Sequence, residues 1–256
     1  MGAMYSTDDR AALRDALIAA AVQDPRLSGV AICGSMAVAR EDIWSDIDLV
    51  LAVSDPSCLS EVVADWTRSM VENHGAVHHV EVASGRGVYR AFLLPSTLEA
   101  DLNFVQAGDF RPEGPKFRAL RGDPLPPRPA VPADDAGHLV GMGWLYAEQA
   151  RASLGRGRLW QAERMVARVR DQALALACLR HGLPTAYGAA IDSLPADVLE
   201  AFKDSVVRVV EMGEVQRAHK SAVAVLCAQA QRAAHGCDDS LLAALTALAD
   251  PLSDLR

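Results

Sequence analysis

The chain has 256 residues, half of them hydrophobic, which is enough for one large domain or two ordinary ones. Its formal net charge is −8, with 18 acids against 12 Lys/Arg in residues 1–130 and 15 against 13 in residues 131–256. That balance argues against a general nucleic-acid footprint, and no apolar run approaches the roughly 18–20 residues of a membrane span.

Residues 7–23 are predicted to be helical: Ser6 and Thr7 can cap the start, Asp8 and Asp9 suit the first turn, and Asp24-Pro25 ends it. The apolar stretch ALIAAAV at 16–22 is flanked by Arg14, Asp15 and Asp24. It lacks the basic start and cleavage pattern of a signal peptide, so a cytoplasmic protein is expected. SGVAIC (28–33) reads as a short buried strand running into Gly34-Ser35. IDLVLAV (47–53) reads as a second strand, ended by Asp55-Pro56. Residues 59–73 are expected to be helical. AVHHVEVA (76–83), VYRAFLL (88–94) and EADLNFVQ (99–106) read as three more strands, with SGRG at 84–87 as the turn between the first two.

From 107 to 135 the character changes, because seven of the 13 prolines fall there, and the stretch reads as an irregular, semi-rigid connection. Residues 136–155, 159–182, 195–212, 214–235 and 239–249 then have helical spacing, with Gly182-Leu183-Pro184 and Gly236 as stops. The expected fold class is α+β: a catalytic domain over 1–110, a proline-rich connection over 111–133 and a helical, substrate-binding bundle over 134–256. The five cysteines (33, 58, 178, 227, 237) show no C-x-x-C spacing, which argues against a disulfide framework or a structural zinc site and for small core residues.

Two aspartates stand inside the apolar stretch SDIDLVLAV. In a strand, side chains two apart share a face, so Asp46 and Asp48 point one way while Ile47, Leu49 and Leu51 point the other. Two carboxylates so close repel, and the arrangement becomes favourable with a divalent cation between them; Mg²⁺ takes one or two carboxylates plus waters and phosphates. A metal would also let a nucleoside triphosphate approach an acidic half. Gly34 permits close approach of backbone to phosphate, Ser35 adds a hydroxyl, and a helix beginning over Met36–Arg40 would turn its N–H groups to the same anion. In-line transfer asks for a third carboxylate, and Asp101 in LEADLNFV is the candidate.

Gly-Ser, ten residues, D-x-D and a later strand acid resemble the signature of the DNA polymerase β-like nucleotidyltransferases. GSMAVAREDIWSDIDL followed by EADLNF is most similar to their aminoglycoside and lincosamide branch. The resemblance implies a five-stranded mixed sheet with flanking helices, a helical domain behind it, and Mg²⁺-dependent transfer of AMP from ATP to a hydroxyl of a small molecule, releasing pyrophosphate. It implies that Gly34 and Ser35 hold triphosphate oxygens, that Asp46 and Asp48 bind metal, and that Asp101 is a metal ligand or the base. Many members carry Arg-Gly where Val38-Ala39 stand here; Arg40 lies close but displaced. Some relatives draw the base from the first helix of the helical domain, which here would be Glu148; Glu81 is a rival on a neighbouring strand.

Other features read as structural. His78 and His79 point to opposite faces of a strand. Arg164, Arg168 and Arg170 read as a solvated helix face, and Trp44 and Trp160 as core or rim packing. Membrane and nucleic-acid partners are not expected, and oligomeric state is not legible. Alternatives to a small-molecule acceptor are a protein or RNA acceptor, or a non-catalytic nucleotide-binding protein.

Overall fold

The computed structural model describes residues 5–84, 87–128, 135–233 and 238–249. The chain divides into two compact units, Met1–Ala130 and Val131–Arg256. The Ser-Gly-Arg-Gly turn and the Gly236 stop fall partly or wholly outside the described residues, as does Cys237.

The first unit opens with α1 (Thr7–Gln23). Its start is a capping box: the Asp9 N–H donates to Ser6 Oγ, and the Ser6 N–H donates back to the Asp9 carboxylate. Strands β1 (Leu27–Cys33), β2 (Ile47–Val53), β3 (His78–Ser84), β4 (Gly87–Leu93), β5 (Glu99–Gln106) and β6 (Phe117–Arg121) form one sheet in the order β3-β4-β5-β2-β1-β6. Only β2 and β5 run parallel; every other neighbouring pair is antiparallel. The antiparallel neighbours β3, β4 and β5 follow one another through short connections. The β2–β5 pair spans the longer excursion through α3 (Leu59–Glu72), as parallel pairing requires.

The sheet has six strands where five are expected. The extra one, FRALR, is the proline-free piece between Pro115 and Pro124, and it adds to β1 as an edge. Proline cannot donate to a ladder, so a sequence rich in it reads as loop, yet five residues between two prolines are enough for an edge strand. Most of β6 is exposed, which removes the apolar alternation that would have marked it.

One face of the sheet is covered. Leu17 and Ala21 of α1 and Val62, Trp66 and Met70 of α3 pack on Ile32, Leu49, Leu51, Leu102 and Phe104, all buried. The other face carries only a small apolar cluster of Ala31, Ala52, Val105 and Phe110, with Val50 and Phe117 against it. Phe110 lies against β1 where residue 29 is glycine; a Cβ there would sit 2.7 Å from its ring. Arg10 of α1 is buried and donates through Nη1 to the Asp42 and Ser45 carbonyls, the latter at 3.2 Å, so it ties the 38–46 crossing to the helix layer.

The second unit is helical: α4 (Ala136–Gly155), α5 (Leu159–Arg180), α6 (Ala196–Glu200), α7 (Met212–Arg232) and α8 (Asp239–Leu248). A three-residue turn with Gly157 at φ +68° joins α4 to α5. Ala147, Ala150, Val166, Val169, Ala222, Val223 and Leu226 fill the core, and small residues let the helices approach closely: a Cβ at Gly143 would lie 2.7 Å from Leu226. The helix expected over 195–212 is cut short, starting at Ala196. It ends at Glu200, and a 3₁₀ turn, Lys203–Ser205, leads into an irregular stretch. The β-branched run Val206-Val207-Arg208-Val209-Val210 resists helix. Arg217 of α7 captures the freed carbonyls of Asp204 (2.5 Å) and Val206 (2.9 Å) instead. Among the described residues no helix is long and apolar enough to cross a membrane.

Substituting Gly29→Ala drives a methyl into the Phe110 ring. It is expected to cost about 1–3 kcal/mol as an overpacking substitution, read as a lower urea midpoint at unchanged m-value.

Candidate active site

The parallel pairing of β2 with β5 sets Asp48 directly beside Asp101. Adjacent strands lie about 4.8 Å apart, so side chains at paired positions on one face are lateral neighbours. Their face is the one opposite the helices, since Leu49 and Leu102 on the alternate positions are buried against α1 and α3. Asp46 stands immediately before β2, on the side of Asp48. One carboxylate oxygen from each of Asp46, Asp48 and Asp101 lies within 4.8 Å of the others. Of the candidate acids, these three come together.

Asp101 is the buried member. Tyr89, on the neighbouring strand β4 and diagonal to it across the sheet, donates its hydroxyl to Oδ2. Oδ1 is buried with no hydrogen-bond partner. Burial pushes the Asp101 carboxyl up to about 7. The Tyr89 hydrogen bond opposes that rise, and the negative charges of Glu99, Asp48 and Asp46 add to it. Asp48 is pushed up to about 6, first by burial and then by Asp46 and Glu99, with Lys116 pulling the other way. The Tyr89 hydroxyl is itself driven upward by burial and by Asp101.

Gly34 sits where the sequence places it, against the acids. Its φ is +66°, and an added Cβ would lie 2.0 Å from Asp48 Oδ2. Both the left-handed backbone and the close approach exclude a side chain. The helix expected from Met36 to Arg40 is a single turn, α2 (Gly34–Ala37), ending at Val38. With two positive-φ residues close together, Gly34 and Ala39 at +55°, the chain turns back instead of propagating a helix, so no extended helix end faces the acids. Ser35 is half-buried, and its carbonyl accepts from the Val38 and Arg40 N–H groups at 3.3 and 2.9 Å, while Arg40 itself is exposed.

A cavity of about 290 Å³ opens over Asp48 and Asp101; Asp46, Gly34 and Ser35 do not line it. Beside Asp48 and Asp101 it is lined by Tyr89, Asn103, Arg111 and Lys116, none of which the sequence reading singles out. Tyr89 and Asn103 share the acids' face only because of cross-strand register, which no local pattern reveals. Arg111 and Lys116 sit in the proline-rich stretch read as connection; their closeness to prolines 112 and 115 is a signal of loop rigidity that could have been used. Cys33 also lines the cavity. It is therefore not a core residue, and burial with Asp48 and Glu113 nearby pushes its thiol up to about 12. Cys178 is buried as expected.

The remaining candidates stand each in the surroundings of its own unit. Glu148 is exposed on α4, in the second unit, and among the described residues it forms no ion pair with Arg151. Glu81 is exposed and pairs with its cross-strand partner Arg90. His79 lies against Phe92, with ring centroids 5.7 Å apart. Trp44 and Trp160 are 71% and 78% exposed, so neither packs in a core. Arg164 is exposed, Arg168 lies over the Tyr146 ring at 5.7 Å, and Arg170 donates to the Ser205 carbonyl at 3.2 Å, so only the first is simply solvated.

The donor set fits a hard divalent cation: oxygens only, mutually repelling, one of them buried with no partner. No family model matches the sequence, and no curated protein does. Among solved structures, an aminoglycoside 6-adenyltransferase from Bacillus subtilis aligns over 92% of this chain and 95% of its own, with 11% identity and a TM-score of 0.38. A likeness at that level carries no argument about activity.

Both raised carboxyls are protonated more readily in the folded chain than in the unfolded one, whose value is near 3.8. Their favourable contribution is present below about pH 4 and is lost as pH rises through about 6 to 7. In EDTA, Asp48→Asn is therefore expected to melt higher than the wild type. The gap should widen from pH 5 to pH 8 to on the order of 1–2 kcal/mol, and millimolar Mg²⁺ should close it by stabilising only the wild type.

Proposed function

We propose that this protein is a metal-dependent nucleotidyltransferase that moves AMP from ATP to a hydroxyl of a small molecule, with an aminoglycoside- or lincosamide-like compound as the leading acceptor. The observation that carries the reading is the convergence of Asp46 and Asp48, at the start of β2, with Asp101 of β5, the Asp101 Oδ1 atom being buried and unpartnered. The Gly34-Ser35 turn pressed against Asp48 and the spacing of the acids support it.

In this reaction the acceptor oxygen bonds to the α-phosphorus, the bond from that phosphorus to the bridging oxygen breaks, and pyrophosphate leaves. Asp46 and Asp48 would hold Mg²⁺, with Asp101 completing the set; the ion supplies positive charge for the phosphoryl oxygens. Asp101 is the best-placed base. Tyr89 fixes Oδ2, and Oδ1, buried with no hydrogen-bond partner, would either join the ion or receive the acceptor proton. Gly34 lets its backbone lie against the Asp48 carboxylate, where any side chain would collide with Oδ2, and that backbone would be the part a phosphate oxygen meets. Ser35 would add a hydroxyl donor, and Arg40 would stand at the edge of this turn. Glu81 is committed to Arg90, and Glu148 is the remaining alternative base.

The test incubates the protein with Mg²⁺, ATP and a panel of aminoglycosides and lincosamides, reading AMP adducts by mass and pyrophosphate release. Asp46→Asn is expected to abolish adduct formation while preserving the far-ultraviolet circular dichroism. Glu148→Gln tests the alternative base: with Asp101 as the base it keeps activity within about threefold, a loss below about 1 kcal/mol of transition-state stabilisation, whereas a loss of about a hundredfold would move the base to Glu148. Full activity in Asp46→Asn would sink the metal assignment. Labelling of a protein by α-labelled ATP, with no small-molecule adduct, would replace the proposed acceptor.

A further inference from the structure

We propose that Arg111 and Lys116, on the segment between β5 and β6, hold the polyphosphate of the nucleotide and supply positive charge that the Gly34-Ser35 turn does not. The assignment rests on the nucleotidyl-transfer reading of the acids.

Both side chains line the cavity that Asp48 and Asp101 line, so that cavity has carboxylates and cations in its wall together. A metal held by the acids and cations on the same cavity make a site for a polyanion that would otherwise be repelled. Among the described residues neither cation is held in an ion pair, although acids surround them, and Lys116 acts on Asp48 only at longer range. Asp109 is taken by Arg128, and Glu113, on the same segment, is exposed. The Arg111 guanidinium donates instead to the carbonyls of Gly108 (2.7 Å) and Pro126 (3.4 Å), neutral acceptors that orient it without cancelling its charge. Its Nε is buried with no partner. A half-buried guanidinium left without an anion is costly, and bidentate contact with phosphate oxygens would relieve that cost.

The segment is stiffened for this role. Arg111 directly precedes Pro112, which restricts its backbone, and Lys116 follows Pro115, whose own φ is fixed. Phe110, next to Arg111, is buried on the sheet against Gly29. Little ordering remains for a ligand to impose. Arg40, the cation that follows the Gly34-Ser35 turn in sequence, is exposed and does not line the cavity.

The test is calorimetric titration of the full chain, in Mg²⁺, with ATP, inorganic tripolyphosphate and AMP in turn. Wild type is expected to bind ATP and tripolyphosphate. Arg111→Gln and Lys116→Gln are each expected to weaken both by about tenfold, as for loss of one charge-assisted contact, with a smaller loss for AMP. Lys116 is exposed, so its variant keeps the fold even where the Arg111 variant loosens the segment. Variants that bind ATP and tripolyphosphate as tightly as wild type overturn this assignment alone, as does a loss for AMP equal to that for ATP. A wild type that binds neither ATP nor tripolyphosphate overturns the assignment and the nucleotidyl-transfer reading together.

Discussion

Everything in the first unit is organised around a repulsion. Asp48 and Asp101 occupy paired positions on the one parallel pair of an otherwise antiparallel sheet, and Asp46 adds a third negative charge. Like charges at lateral neighbours destabilise a sheet, and burial makes the charged forms dearer still. The two strands are held in that register regardless, because their alternate residues, Ile47, Leu49, Leu51, Ala100, Leu102 and Phe104, are all buried under the helices. A one-residue slip of either strand would put those side chains on the open face, so the hydrophobic register is far stronger than the local repulsion it imposes. Two strands that bury one face so completely can carry an unfavourable charge pattern on the other, and keep it preorganised.

That division of labour explains the asymmetry of the sheet. One face is closed by α1 and α3. The other is left open over the acids and covered only in part by Phe110 and Phe117, which come from the stretch after β5. The same stretch then adds β6 to the far edge of β1. Residues that look like a connection in sequence thus cap the open face, extend the sheet and line the cavity. Rigidity there comes from prolines and from the Phe110 anchor, with little regular structure.

The sequence was most legible where one signal sufficed. The capped helix over 7–23 and the apolar runs of β2 and β5 are found residue for residue, since each carries its own periodicity and its own stop. The three acids were legible because aspartate is out of place in such strands, so the departure itself was the signal. What escaped needed information from elsewhere in the chain. FRALR is a strand only because β1 offers it an edge, and 201–211 is irregular only because Arg217 satisfies its carbonyls. Tyr89 and Asn103 join the site through register between strands more than ten residues apart, which composition and spacing do not encode.

Charge over the whole molecule would mislead here, and local arrangement corrects it. The first half carries a net of six negative charges, which taken as a smooth field would repel a polyphosphate. Screening confines such a field to about 10 Å at ordinary ionic strength, so what a ligand meets is the lining of one cavity. There Asp48 and Asp101 form part of an acid trio able to hold a cation, while Arg111 and Lys116 form no ion pair among the described residues, Lys116 acting on Asp48 only at longer range. In a chain this acidic, a cation left without an anion is conspicuous, because partners are plentiful and the backbone has been shaped to keep them apart. Pro112 and Pro115 limit the backbone within the 111–116 turn, and Arg128 takes Asp109, so positive charge is left for something not part of the chain.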